Sequence, residues 1–366
     1  MNESRTYDSE FSESRLNKVA LEIKKGCGAH NPKLNIYKLV LASKGDLAAT
    51  FRNLFKEKFG QCEDDRLFDS YFQHITDAIG NKNFRKDNIN KKVIGKTNDS
   101  PVIELDQHKK DYYVDGVIEG GKYGIERKVV DIKNNTHNII INKESAVLDS
   151  YYLLIYTPLN SQTGFLLIQS YTEESVTNSI KNLVRDFFSN ENSSYNIKTE
   201  PYLPQKFIKK YIESSTIGEF GVTIPTPLSP SLRNEEHSKE ETFEVEIRIK
   251  PQSKMPSKEL LDQNSEATIF FKNIIKKFVK HKNKTIKKEA FLTDNNGREA
   301  LAYYDKNKQN RIDIAESTIY LEEEGIFCDY EETGSPDFNK IQEYCLNILK
   351  EIKQDFKHQT GSIHEF

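Results

Sequence analysis

Between residues 112 and 171 the apolar side chains change their spacing, and that change limits what the chain can fold into more than any other feature. Ahead of it, apolar residues recur at helical intervals. Leu47, Phe51, Leu54 and Phe55 form one such stripe behind Asp46 as N-cap, and Leu67, Phe68, Tyr71, Phe72 and Ile75 form another over Asp65–Ile79. From about Pro101 the period falls to two. Short strands are expected at Tyr112–Ile118, Gly124–Ile132, Thr136–Ile141, Tyr151–Pro158 and Gly164–Tyr171, with turns at Gly120-Gly121, Asn134-Asn135 and Asn160–Thr163. The expected fold is therefore α+β: an antiparallel β-meander backed by helices, with a second, smaller α+β domain.

The flanks fill in that plan. A half-buried strand is expected at Leu34–Ala42. Thr172 is placed to cap a helix carrying Val176, Ile180, Leu183, Val184 and Phe187, and Pro204 opens another with Phe207, Ile208, Tyr211 and Ile212. Three prolines and a charge run make 225–240 the expected linker. Beyond it come a strand at Thr242–Lys250, a basic helix at Ser265–His281, a hairpin joining Lys287–Thr293 to Arg298–Tyr304, and a strand at Arg311–Tyr320. A final helix behind Ser335 and Pro336 carries Phe338, Ile341, Cys345, Ile348, Leu349 and Ile352. The expected divisions are residues 1–100 packed with 101–224, the linker, and a C-terminal domain over 241–366.

Charge excludes a histone-like protein: 53 Lys+Arg stand against 56 Asp+Glu among 366 residues. The 21 Phe and 18 Tyr supply enough apolar area for a core despite 30% charged residues. No apolar run approaches the roughly 18 residues of a membrane span. The Ser/Glu-rich start has no apolar stretch of a secretion signal. Cys27, Cys62, Cys328 and Cys345 form no C-x-x-C pair, and the eight His fall in no ligand spacing, so neither a disulfide scaffold nor a zinc site is expected. A reducing cytoplasm is the expected compartment. Abundant Lys, Asn and Ile with no Trp associate the chain with an AT-rich bacterial genome.

Two residue sets could carry function. Asp115 followed by Glu126 and Lys128 fits the D…E-x-K grammar of Mg²⁺-dependent nucleases, in which carboxylates hold the metal and the lysine assists the attacking water. Asp131 with Lys133 repeats it. Glu22-Ile23-Lys24 and Glu351-Ile352-Lys353 repeat it on expected helices, where solvated residues explain it as well. Lys272, Lys276 and Lys280 fall at i, i+4, i+8 and form one exposed row, which fits phosphate contacts to nucleic acid. A solvated face pairing with the acidic runs 235–246 and 316–332 explains the row as the plainer expectation, given the near-zero net charge. The glycines at 116, 120, 121 and 124 precede no helix and read as hairpin turns. No phosphate-binding loop or nucleophile-elbow string occurs.

The segments LNIYKLVL (34–41), YYVDGVIEGGKYG (112–124), YYLLIYTP with GFLLIQSY (151–171), PQKFIKKYI (204–212) and GSPDFNKIQEYCLNIL (334–349) resemble, in their order, a loose group of uncharacterised bacterial proteins found near phage-defence genes. That resemblance implies a role in antiviral defence and carries over no site residue. The expectation is a cytoplasmic recognition or assembly protein that senses a nucleic acid or a partner protein of the same system. The alternative is a Mg²⁺-dependent nuclease acting through Asp115, Glu126 and Lys128. No cofactor is expected apart from that Mg²⁺, and no membrane partner.

Overall fold

The computed structural model describes residues 31–44, 48–80, 83–96, 103–130, 138–189, 193–227, 242–252, 255–258, 269, 273, 287–293, 299–303, 311–314, 318–329 and 334–360. They belong to two compact units, one of Met1–Tyr202 with Thr318–Phe366 and one of Leu203–Ser317.

The first unit is built on a nine-stranded antiparallel sheet. Its strands in chain order are β1 (Pro32–Ser43), β2 (Arg85–Asp87), β3 (Lys92–Lys96), β4 (Asp106–His108), β5 (Tyr113–Lys122), β8 (Val147–Tyr156), β9 (Thr163–Tyr171), β10 (Tyr195–Pro201) and β17 (Thr318–Tyr320). Across the sheet they run β10-β1-β9-β8-β5-β3-β2, with β17 also on β1 and β4 also on β5. The α+β class and the antiparallel pairing agree with the sequence reading, but the order is not a simple meander. The intervening β6 (Arg127–Val130) and β7 (Asn138–Ile141) pair only with each other among the described residues, and β5 pairs with β8 instead, Asp115 opposite Leu154. Alternation reveals a strand but not its neighbour.

Helices cover both faces. α1 (Phe51–Phe59), α2 (Asp64–Ile79) and α3 (Thr177–Phe188) pack on one, where Phe55, Phe68, Tyr71 and Phe188 meet Val114, Tyr151, Leu153 and Leu166 in a single core. The last helix, α5 (Phe338–Thr360), lies on the other face, its Phe356 ring 5.1 Å from that of Phe165. Local chemistry sets the helix starts. The Thr50 side chain accepts from Asn53 N, and residues 45–47, with the expected cap Asp46, lie outside the described ones. Thr177, not Thr172, begins α3, its N–H donating to Ser175 Oγ at 3.1 Å. Asp337 rather than Ser335 caps α5, its Oδ1 accepting from Asn339 N at 3.0 Å, because Pro336 is held in an extended bridge to Cys328.

The second unit holds α4 (Gln205–Ser214), β11 (Thr216–Pro227), β12 (Thr242–Ile249), β13 (Met255–Pro256), β14 (Lys287–Thr293), β15 (Glu299–Tyr303) and β16 (Arg311–Ile314). Its sheet runs β12-β11-β14-β15-β16, with β13 on β11. Tyr211, Phe220, Val222 and Leu292 form its core, and the Tyr211 hydroxyl donates to Leu292 O at 3.2 Å. This unit corrects the expected boundary. The 225–240 segment joins two strands paired side by side, Thr226 opposite Phe243, so it connects neighbours within one sheet rather than separating domains. The single strand expected over 311–320 is two, β16 in this sheet and β17 in the other. Among the described residues no helix is long and apolar enough to cross a membrane.

One glycine decides how the edge of β5 is built. Gly116 has φ +152°, and a Cβ there would meet Leu105 Cα at 2.5 Å and Glu104 O at 2.6 Å. Only a residue without a side chain lets the 103–108 segment lie this close to β5. Gly116→Val should lower stability by about 2–4 kcal/mol, since both obstructing atoms are backbone. Urea denaturation reads the loss, and one below about 1 kcal/mol would show that the segment yields freely.

Candidate functional site

The site grows from a tight hairpin. β4 and β5 pair with His108 opposite Tyr113 and Asp106 opposite Asp115. A single turn of 3-10 helix, Lys109–Asp111, connects them through Tyr112 in the left-handed region at φ 56°. Period two then places Asp106, His108, Tyr113 and Asp115 on one face. The His108 and Tyr113 rings stack at 4.2 Å with 16° between planes.

Asp115 is the centre of this face and is only 1% exposed. Its Oδ2 accepts from the Tyr152 hydroxyl at 2.6 Å and from Gln342 Nε2 at 2.8 Å. Tyr152 comes from β8 and Gln342 from the first turns of α5. His108 Nε2 lies 2.9 Å from Oδ1, off the line of a well-formed N–H···O bond, so this oxygen holds the imidazole through proximity and retains acceptor capacity. Burial, then the neighbouring Cys345 and the Asp115 charge, pushes the Tyr152 hydroxyl far above its ordinary range. It stays protonated and acts as donor. Burial and then Asp115 likewise raise the Cys345 thiol, and Tyr113 is pushed up to about 12 by burial and then by Asp115 and Asp111. Tyr152, Cys345 and Tyr113 thus stay protonated beside the carboxylate.

A cavity of about 670 Å³ opens beside it. Phe72, Gln73 and Thr76 of α2 form one wall, and Lys96, at the end of β3, and the 103–106 segment form another; His108, Asp115 and Gln342 complete it. Its position follows from the sheet. β3 pairs with residues 118–122 of β5 and β4 with residues 113–115, so two partners share one edge and part between them. Val117 N, caught in that interval, donates to Ile103 O at 2.9 Å.

The residues expected from sequence separate here. Asp115 lines the cavity and is buried. Glu126 and Lys128 are exposed, one just before β6 and the other on it opposite Ile140, and neither lines the cavity. The chain turns away from β5 at Gly124, φ +89°, which carries the E-x-K pair onto the β6–β7 ribbon. Asp131 and Lys133 lie outside the described residues, as do Lys272, Lys276 and Lys280; Ile269 and Asn273 of that stretch are helical. Among the described residues no group of three or more His, Cys, Asp or Glu could hold a metal ion. His108 was legible only by pairing 108 with 113 across a four-residue connection. Gln342, 227 residues from Asp115, carries no local signal at all.

Chemically, the arrangement holds an imidazole against a buried carboxylate beside a cavity whose lining also carries Thr76, Lys96, Glu104 and Asp106. The chain matches no family model, and no curated protein is significantly similar to it.

The Tyr152–Asp115 bond should show as an energetic coupling. Tyr152→Phe is expected to cost about 1–2 kcal/mol and Asp115→Ala about 2–4 kcal/mol, because the second leaves two buried donors without an acceptor. The double variant should cost less than the sum by about 1–2 kcal/mol. Strict additivity in urea unfolding would remove this bond from the account.

Proposed function

We propose that this chain is a recognition protein whose first unit binds a ligand in the cavity beside β5. The observation that carries the reading is the buried Asp115, which gathers His108, Tyr152 and Gln342 from three elements beside a cavity that His108 and Gln342 also line. A stable carboxylate in that position costs desolvation free energy that an apolar residue would avoid, so a polar task supports its presence. In keeping with the resemblance in its segment order, the chain serves in the cytoplasm of a bacterium as a component of antiviral defence, where ligand recognition is coupled to a partner protein or a nucleic acid.

A thermal-shift panel on the full chain tests the binding role, with an organic cation (agmatine), a nucleotide (AMP) and a neutral sugar (glucose) at millimolar concentration. At least one probe should raise Tm by a few degrees, as ligand at about a hundred times its Kd contributes about 2.7 kcal/mol. The shift should shrink in Thr76→Phe, which narrows the cavity at its α2 wall. A panel without any shift, or one unchanged by that substitution, overturns the reading.

A second reading, Mg²⁺-dependent nuclease, draws on one observation: Asp106 is paired directly with Asp115 across the β4–β5 ladder, and both residues line the cavity. Under it, plasmid or RNA should be cut with Mg²⁺ and not with EDTA, and cutting should be lost in Asp115→Asn. Lys128→Ala should abolish it too if the D…E-x-K set is the site. Intact substrate under Mg²⁺ dismisses this reading.

A further inference from the structure

The sheet of the second unit ends on a long strand. β12 pairs with β11 on one side and with no strand on the other among the described residues. Strand edges of this kind invite pairing with another chain, and folds blunt them with short strands, prolines or bulges. The opposite end of the same sheet is blunted in that way, since β16 is four residues long. β12 runs for eight residues, holds no proline and keeps an unbroken register with β11.

The order of its residues decides what pairs with it. Period two puts Ile247 and Ile249 on the face that packs against the core of this unit. Glu246 and Arg248 take the outer face, where their side chains are 45% and 55% exposed. Glu244 and Lys250 hold the flanking positions of that outer row, so two acidic residues are followed by two basic ones. A second copy of β12 can lie antiparallel to the first about a two-fold axis perpendicular to the sheet, which keeps both outer faces on one side. Centring the axis on Ile247 sets Glu246 opposite the partner's Arg248 and Glu244 opposite the partner's Lys250. Centring it on Val245 opposes Glu244 to the partner's Glu246, and on Ile249 it opposes Arg248 to the partner's Lys250. An axis at Glu246 or at Arg248 opposes that residue to its own copy. Of these registers, the one at Ile247 alone sets unlike charges against each other along the whole row, and like charges directly opposed destabilise paired strands.

The inner row agrees. Ile247 and Ile249 are only half-buried at the margin of their core. The same register sets Ile247 beside the partner's Ile247 and Ile249 opposite the partner's Val245, so each copy extends the apolar row of the other. Within one copy Arg248 Nε lies 2.9 Å from Glu246 Oε1, and pairing closes two such couples into a square of alternating sign. We infer that this chain forms a two-fold homodimer by antiparallel pairing of β12 with the β12 of a second copy, centred on Ile247, which joins the two sheets into one.

Sedimentation equilibrium of the full chain tests the pairing. A dimer that dissociates in the micromolar range is expected, because an interface of two strands lies at the small end of specific contacts. Glu246→Lys meets the partner's Arg248 with a like charge, and symmetry repeats the change, so the dimer should weaken about tenfold. Lys250→Glu, at a side chain 78% exposed, should weaken it several-fold. Combining Glu246→Lys with Arg248→Glu restores unlike charges at both positions and should recover wild-type association. A chain that stays monomeric throughout the micromolar range overturns the inference and leaves this edge to a strand of another protein. A dimer that neither single variant weakens has its contact elsewhere and overturns it too. Loss in Glu246→Lys without recovery in the exchanged pair overturns the register when that double variant keeps the wild-type circular dichroism. If the double variant does not fold, Lys250→Glu decides, and a dimer as tight as wild type in that variant overturns the register.

Discussion

A charge inside a sheet has to be compensated by whatever surrounds it, and the buried carboxylate of Asp115 imposes that requirement on the first unit. Removing such a group from water costs several kcal/mol even after relaxation, while each hydrogen bond to a charged acceptor returns about 1.5–3 kcal/mol. Two donors and a close imidazole meet this requirement, and they arrive from separate parts of the chain. Tyr152 comes from β8, Gln342 from α5 and His108 from β4. These contacts do more than neutralise a charge. The Gln342 bond sets where α5 lies along the sheet, and the His108 contact keeps the short β4 on the edge of β5. Packing alone would fix α5 less uniquely, since its apolar stripe of Ile341, Cys345, Ile348 and Ile352 could slide by a turn at little change in buried area.

The opposite face needs no such device because aromatic packing locks it. The Phe55 and Tyr71 rings stack at 4.6 Å, and Phe188 lies within 6.2 Å of both Phe55 and Tyr71 and 5.8 Å from Phe51. All four residues are fully buried. One ring network thereby ties α1, α2 and α3 together, and planar rings interlocked at several angles resist the sliding that a row of leucines would allow. The cavity benefits directly. Phe72 and Thr76 sit on α2, next to the residues that anchor it, so that wall is as rigid as the core behind it.

Much of this was legible in the order of residues and much was not, for reasons particular residues make plain. Strand existence was legible from short apolar runs, β8 and β9 being buried on both faces over 151–156 and 164–171, and α5 from the helical spacing of its stripe. Pairing was not evident. β5 and β8 are brought together across a ribbon whose strands look, residue by residue, like any others, and only the way Gly121 packs against Val147 O marks the closure. The same limit applied to the site. Asp115 stood out by its chemical type, but the grammar that singled it out drew in Glu126 and Lys128, which lie beyond the turn at Gly124. Two of its actual partners, Tyr152 and Gln342, carry no charge, so no charge pattern could have named them. Tyr152 was one of several paired tyrosines, and Gln342 was one polar residue on a helix read for its apolar side.

The cavity arises from a rule that the sheet applies twice. β1 gives one whole edge to β9 and divides the other between β17, at residues 33–35, and β10, at residues 37–43. β5 gives one whole edge to β8 and divides the other between β4 and β3. The outcomes differ because the intervals differ. On β1 only Ile36 separates the two partners, its carbonyl accepts from Tyr202 N at 2.9 Å, and the gap closes. On β5 the interval spans Gly116 and Val117, and the chain crossing it, 103–105, bonds at Val117 but stands off beyond. A strand edge left without a continuous neighbour must either be sealed or become a place where something else can dock. The first unit does both, and the opening falls beside the buried Asp115.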